Sequence, residues 1–476
     1  MKTIVFNLFN GFNVRYLIET GIIDRLKEKN KIILTSYSFD GIKNYFKNDK
    51  NIIYYELNIK DDSDFKEKFI DKILNRIRYY TYGGKFITPK LHLNLFINDF
   101  LSKFKLKNFC YVLILRLIIL LLNKIKLLRL TYSKLIESRY PKYYENLFEK
   151  YKIDLVVCTS LGTFANDDFL MRAAKNRSIK TLSTMLSWDN STTRGYPGSK
   201  PNYVFAWTDT MKNEIKKLSD IDEDKIYVTG SAQFDHYFLD LQVSRDNFYN
   251  KFRLDKKKKT LFFATRGPNT FASNAEIIKE ICVSIRKQEI LNSQLIVRIH
   301  PLHYSKDKFK KYEKLFKTYS DLEYEFNDIL RINYPIIENG NANFILKQEN
   351  SLDLHSLIKF SDVIINVFST INIEGAIFDK PLINISYQKN TNFYNDNMKS
   401  RYDINIDFKQ DHNQRILSTE GITNCWNEKE LNQAINDAIK YPKKLSEKRK
   451  KIILDEVGPN KGNAAKIISS LIEKLA

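Results

Sequence analysis

A chain of 476 residues is too long for one ordinary domain and fits two to three. Its 43% apolar and 13% aromatic content is ample for packed cores and argues against disorder. The net charge of +21 points to an acidic partner surface over an AT-rich compositional background. Cys110, Cys158, Cys282 and Cys425 lack the paired spacing of a disulfide framework or a zinc site and fit a reducing compartment.

The opening MKTIVFNLFNGFNVRYL is not read as a leader peptide, because its apolar part is short, broken by asparagines and without a small-residue cleavage site. Residues 2–8 are expected to form a strand and 14–29 a helix with apolar side chains at helical spacing. A strand at 31–36, a helix at 39–48 and a strand at 51–57 follow. A basic, largely helical stretch from about 65 to 152 interrupts this alternation. Strands at 154–160, 179–186, 201–208 and 225–232 resume it, with helices at 168–176 and 210–218. After a solvated KKKK run (256–259) come strands at 260–265, 294–299, 343–347 and 363–366, with helices at 274–287, 305–318 and 353–360. Repeated strand–helix alternation implies parallel sheet with right-handed crossovers. The expected boundaries are 1–245 for a first half carrying the helical insertion and 255–460 for a second. A terminal helix within 461–476 is expected to return to the first half.

The window 71–135 holds thirteen Lys/Arg against two Asp, +11 of the +21, together with the most apolar run of the chain, FCYVLILRLIILLLNKIKLLRL (109–130). Arg116, Lys124 and Lys126 interrupt that run too early for it to cross about 30 Å of hydrocarbon. A basic helix with a broad apolar face belongs instead in a membrane interface, with Lys103, Lys105, Lys107, Arg116, Lys124 and Lys126 toward an anionic leaflet. The competing reading is a core helix with a solvated basic face. Nucleic acid is not expected as a partner, because the cations alternate with long aliphatics and no recognition motif is present.

Residues 361–385, SDVIINVFSTINIEGAIFDKPLINI, carry the densest signal: a strand, Ser369-Thr370, a short helix with Glu374, then Lys380-Pro381 and a second strand. At the carboxyl end of a parallel strand, hydroxyls and helix N–H groups suit an anion, and Glu374 suits a ribose. His300-Pro301 ends the strand QLIVRI, where the proline fixes the backbone and the imidazole N–H can address a phosphate. Arg266 and Gly267 in TRGPN offer a cation and a close backbone approach for a diphosphate.

The 361–385 block resembles the donor-binding segment of GT-B glycosyltransferases, through Glu374, Ala376, Lys380, Pro381, Leu382 and Ile383. The His-Pro pair followed about 70 residues later by a Ser/Thr turn is similar to bacterial sialyltransferases, some Kdo transferases and CDP-glycerol glycerophosphotransferases. SWDNSTTRGYPGSKPNYVFAW (187–207), KIYVTGSAQFDHY (225–237), RILSTEGITNCWNEKELNQAI (415–435) and EVGPNKGNAA (456–465) look like surface-carbohydrate transferases related to the last of these. The resemblance implies an α/β GT-B fold: two Rossmann-like domains facing a cleft, here with the basic amphipathic insertion in the N-terminal one. It implies a sugar moved from a nucleotide-activated donor to a cell-surface glycan or lipid-linked acceptor, in the cytoplasm and peripheral to the inner membrane.

In inverting members of that fold the base is an acid or His of the N-terminal domain, which makes Asp189 and Asp167 the candidates. Asp168 is expected to be the N-cap of its helix, leaving Asp167 the freer carboxylate. Asp189 has the alternative role of closing its own loop through an Asx turn. Retaining enzymes often show E-x7-E; the first position here is Asn366, which favours inversion. No DxD-like pair follows a strand, so neither a metal nor a cofactor is expected, with His300 among the groups that replace one. The rivals are a CDP-glycerol-type polyol-phosphate transferase, a non-hydrolysing UDP-sugar 2-epimerase, and a non-catalytic basic protein binding nucleic acid or membrane.

Overall fold

The computed structural model describes the chain except for residues 10, 102–105, 163, 240, 242, 269, 305–308, 339–344, 347 and 390–402. It divides into two compact units. One holds Met1–Phe238 and Glu456–Ala476, the other Leu239–Asn339 and Leu346–Asp455.

The first unit is built on seven parallel strands: β1 (Thr3–Asn7), β2 (Lys31–Ser36), β3 (Ile52–Glu56), β4 (Leu155–Cys158), β5 (Lys180–Thr184), β6 (Tyr203–Ala206) and β7 (Ile226–Val228). Their order is β3-β2-β1-β4-β5-β6-β7. Apolar runs such as IVF and LVVC form strands here because both faces of the sheet are covered. Ile4, Phe6, Ile32, Leu34, Leu155 and Val157 pack on one side with the terminal Ala464–Leu475 helix. Val5, Ile33, Val156 and Cys158 pack on the other with Phe169 and Leu170. The terminal helix is pinned by Asp235, whose carboxylate accepts from the Ala464 and Ala465 N–H groups (3.1 and 2.8 Å).

The expected helix 14–29 is instead broken. A π-helical turn at Arg15–Glu19 gives way at Gly21, whose φ of 74° is left-handed, before Ile22–Lys27 continues. Between β3 and β4 the chain is mostly helical, including Phe69–Tyr80, Leu106–Lys124 and Lys126–Glu137. This region is sewn into the sheet domain. The Arg78 guanidinium donates to the carbonyls of Tyr196 and Gly162 (2.8 and 3.0 Å), and its own carbonyl accepts from Tyr196 N–H (3.1 Å). Arg129 donates to both oxygens of Asp220 (2.7 and 3.0 Å), and Gly83 N–H donates to Leu218 O (2.9 Å). A Cβ on Gly195 would come within 2.4 Å of the Tyr79 carbonyl oxygen.

The second unit has six parallel strands in the order β10-β9-β8-β13-β14-β15. These are β8 (Lys259–Ala264), β9 (Ser293–Arg298), β10 (Leu330–Asn333), β13 (Val363–Asn366), β14 (Leu382–Ile385) and β15 (Thr423–Cys425). The expected strand 343–347 is not in this sheet: β12 (Ile345–Leu346) pairs with β11 (Ile337–Glu338) in a separate two-stranded ribbon. The edge strands β10 and β15 escape sequence reading because LRIN and TNC are short and half polar, as edges are.

Candidate functional site

In the second sheet, successive strands run outward from β8 in one direction (β9, β10) and from β13 in the other (β14, β15). The point between β8 and β13 is therefore a topological switch, where the loops after two adjacent strands run in opposite directions and where open α/β sheets take their ligands. The registers Ile365↔Phe263 and Phe263↔Val297 align β13, β8 and β9. Arg266, His300 and Ser369-Thr370 thus follow three neighbouring strands at one end of the sheet. With strands about 4.8 Å apart, the outer two are separated by about 10 Å, a span suited to a diphosphate.

His300 is held by its backbone. Its N–H donates to Thr265 Oγ1 (2.8 Å), tying the end of β9 to that of β8. Pro301 opens a single 3-10 turn that brings His303 back, so that the His300 carbonyl accepts from His303 N–H (3.0 Å) and lies 2.9 Å from its Nδ1. The fully buried His303 ring reaches Tyr319 OH with its other nitrogen (3.1 Å). Burial, then the neighbouring His303 and Arg266, push the His300 imidazole down to about 3, so it is neutral at physiological pH. Burial likewise lowers His303 to about 4. A neutral imidazole is a hydrogen-bond donor, not a counter-charge.

Arg266 does not stand alone as the sequence suggests. Its guanidinium pairs with Asp407 (2.5 Å), and its backbone is closed against Asn274, which accepts from Arg266 N–H (3.1 Å) and donates to Arg266 O (2.9 Å). Gly267 is buried beside it, inside the same turn.

The Ser369-Thr370 turn rests on residues that sequence reasoning passed over. Asn366, Asn384 and Asn424 stand in register across β13, β14 and β15. Asn366 Oδ1 accepts from Ser369 N–H (3.2 Å) and its amide donates to Asn372 (2.6 Å). Asn384 Oδ1 accepts from Phe368 N–H (2.6 Å), and its amide donates to Asn424 (2.7 Å). Phe368 has a φ of 41°, a costly conformation for an aromatic residue that persists only where neighbours over-determine it. The signal was partly available: an asparagine at or next to the end of two apolar strands, VIIN and LINI, with a third in the short edge strand TNC. Glu374 lies one turn into the Ile371–Ile377 helix, 5% exposed, its N–H donating to Thr370 O (3.1 Å). Gly375 permits that helix to sit on the sheet, since a Cβ there would reach within 2.5 Å of Leu382.

The first sheet has its own switch between β1 and β4, and Asp167 lies at it. The expected roles of the paired acids are corrected here. Phe164 occupies the N-cap of the Ala165–Asn176 helix, so Asp168 is inside the first turn and pairs with Arg172. Asp167 is the more constrained carboxylate, with no exposed surface. Its Oδ1 accepts from the Asn7 amide (2.7 Å), and its Oδ2 from Thr159 N–H (3.1 Å), Thr159 Oγ1 (3.2 Å) and Ser160 Oγ (2.9 Å). Burial raises it to about 6 against the pull of those donors. Asp189, after β5, is partly exposed and closes its own turn, accepting from Ser187 Oγ (2.5 Å) and Thr193 Oγ1 (3.1 Å) with Arg194 4.0 Å away.

Of the basic residues assigned to a membrane, Lys103 and Lys105 lie outside the described residues, as does the side chain of Lys107. Arg116, Lys124 and Lys126 are exposed. Among the described residues no helix is long and apolar enough to cross a membrane, and no group of three His, Cys, Asp or Glu is placed to hold a metal.

No family model matches the chain, and no curated protein matches it. Solved structures do. A UDP-GlcNAc 2-epimerase from Methanocaldococcus jannaschii aligns over 99% of this chain and 100% of its own, at 16% identity and a TM-score of 0.52. The Neisseria meningitidis UDP-GlcNAc 2-epimerase bound to UDP-GlcNAc covers 100% of both chains at 14% identity and 0.52. A glycosyltransferase from Rickettsia africae covers 100% of this chain and 98% of its own at 14% identity and 0.51. At these identities the likeness is one of architecture, and it is consistent along the whole chain: the protein has the GT-B fold, two Rossmann-like α/β domains each on a parallel sheet.

Proposed function

We propose that this chain is a glycosyltransferase that moves a sugar from a nucleotide-activated donor to a cell-surface glycan or lipid-linked acceptor, working at the cytoplasmic face of a membrane. One observation carries the reading: His300, Arg266 and Ser369-Thr370 follow three adjacent strands around the switch point of the second sheet. Neutral His300, the Arg266 guanidinium and the two hydroxyls hold the donor phosphates, and Glu374 takes the ribose. Asp189 accepts the proton of the acceptor hydroxyl as that oxygen bonds to the anomeric carbon. The carbon–phosphate-oxygen bond breaks with inversion, and the departing anion is met by donors already in place. Asp167, fully buried where Asp189 is partly exposed, positions the first-domain loops. The chemistry needs no metal, since Arg266 and fixed hydrogen-bond donors meet the leaving charge. No cofactor beyond the activated donor is required.

The test is a thermal-shift screen against UDP, CMP, CDP, GDP and dTDP, followed by mass analysis of products. A nucleotide at 100 times its dissociation constant stabilises by about 2.7 kcal/mol. No shift with any of them removes the proposal. A polyol-phosphate product would reassign the group moved, and C2 epimerisation of UDP-GlcNAc without acceptor would replace transfer altogether.

A further inference from the structure

We propose that the outward face of the Leu106–Lys124 helix is a docking face for an anionic bilayer, lying along the membrane plane, with headgroup contacts at the corner where it turns into Lys126–Glu137. The inference deepens the membrane location proposed above and depends on it for place, not on the reaction.

One stripe of the helix, Val112, Leu115, Ile119 and Leu122, is buried at three- and four-residue spacing, the last three against Ile77 and Tyr80. The side turned away is where a helix of a water-soluble domain carries polar residues. Here Leu113, Ile114, Leu117, Leu120 and Leu121 are 41–59% exposed, and Leu127 beyond the corner is 71% exposed. A contiguous apolar surface of this kind marks a place of interaction.

Charge selects the occupant. Residues 100–136 contain eight Lys/Arg and no acid. A second copy of the chain would bring the same cationic face against itself in a two-fold contact, whereas an anionic leaflet offers apolar depth and opposite charge together. The acids nearest the corner are already engaged, Asp220 by Arg129 and Tyr196 and Asp222 by Lys225. Lys124 and Lys126 are exposed there, and Lys200 donates to Asp220 O (2.7 Å) nearby. Burial, with Lys126 and Arg129 close by, holds Lys200 down at about 8 even against the attraction of Asp220. A lipid phosphate would relieve that crowding. The helix meets the rest of its domain through the buried stripe, so the outward leucines can enter the acyl boundary without unpacking the core.

The experiment is flotation of the full chain with vesicles of phosphatidylcholine alone and of phosphatidylcholine mixed with phosphatidylglycerol. Wild type is expected to float with the anionic vesicles only. L113Q/L117Q/L121Q is expected to lower the bound fraction roughly tenfold or more, and K124E/K126E to remove the preference for anionic lipid. Both change exposed positions, so unaltered thermal unfolding confirms that they fold. Absent flotation of wild type, or undiminished flotation of the triple glutamine variant, overturns the proposal. So does a lipid-free dimer in light scattering that the same variant dissociates, which would give the face to a second copy. Nucleotide stabilisation of the same samples separates the two proposals: its loss with flotation retained ends the transferase reading and leaves the docking face standing.

Discussion

Replacing Asp167 by Asn isolates the cost of a buried charge. The carboxyl sits in the fold at about 6, well above the usual carboxylate value, because burial outweighs the donors from Asn7, Ser160 and Thr159. The folded protein thus favours the protonated acid. That contribution is complete below the unfolded value near pH 4 and is lost as pH rises through about 6. A difference of about two pKa units corresponds to roughly 3 kcal/mol. Asparagine keeps the shape and one carbonyl acceptor but cannot ionise; its amide can donate to the hydroxyls of Thr159 and Ser160 but leaves the Thr159 N–H without its acceptor. D167N is therefore expected to be the less stable near pH 4.5, by roughly 1–3 kcal/mol for the orphaned N–H, and to gain on wild type by up to about 3 kcal/mol between there and pH 8, several degrees in Tm for a domain of this size. Melting both proteins across pH 4–8 is the assay. Parallel profiles would refute the reasoning, since they would mean that the donors, not burial, decide the charge state.

His300→Ala is expected to lower kcat by about 10²–10³, as loss of a fixed donor does, with H300Q retaining more activity. Because His300 is pushed down to about 3, wild type and H300Q should share the same rate profile between pH 5 and 8; a limb present only in wild type would show a titrating imidazole. Asn384→Ala orphans the buried Phe368 N–H, so a loss of roughly 1–3 kcal/mol in denaturant melts should accompany weaker nucleotide binding by calorimetry. Unchanged binding would detach the asparagine row from the site. Asp407→Asn frees Arg266 from its ion pair and should tighten diphosphate binding relative to monophosphate; equal effects on both would place Arg266 outside the phosphate contacts.

The alternating architecture was legible because parallel strands buried on both faces are nearly pure apolar runs: LVVC, TLFFA and VII stand out against polar helices. What escaped has local physical reasons. Edge strands such as LRIN need only one paired side and carry little apolar signal. Gly21 breaks a helix whose periodicity continues through it. In the candidate site, chemistry-bearing residues at strand ends could be named, but their restraints could not. The hold of Asn384 on Phe368 crosses 16 positions, that of Thr265 on His300 crosses 35, and Asp407 reaches Arg266 over 141. Such pairings follow from strand order, which residue spacing does not encode. The two adjacent aspartates show the same limit. Neighbours in sequence, they face different surroundings, and Asp167 drew four donors where spacing suggested freedom.

The guanidinium of Arg78 makes the helical region after β3 inseparable from the sheet domain. It holds the carbonyls of Gly162 and Tyr196, and glycine at 195 lets the two backbones touch. Excising residues 65–137 would not yield a minimal, better-behaved catalyst; it would strip the loop after Asp189 of the wall it folds against. The helical region and the loop after Asp189 therefore stand or fall together: a change that loosens Arg78 is expected to loosen that loop as well.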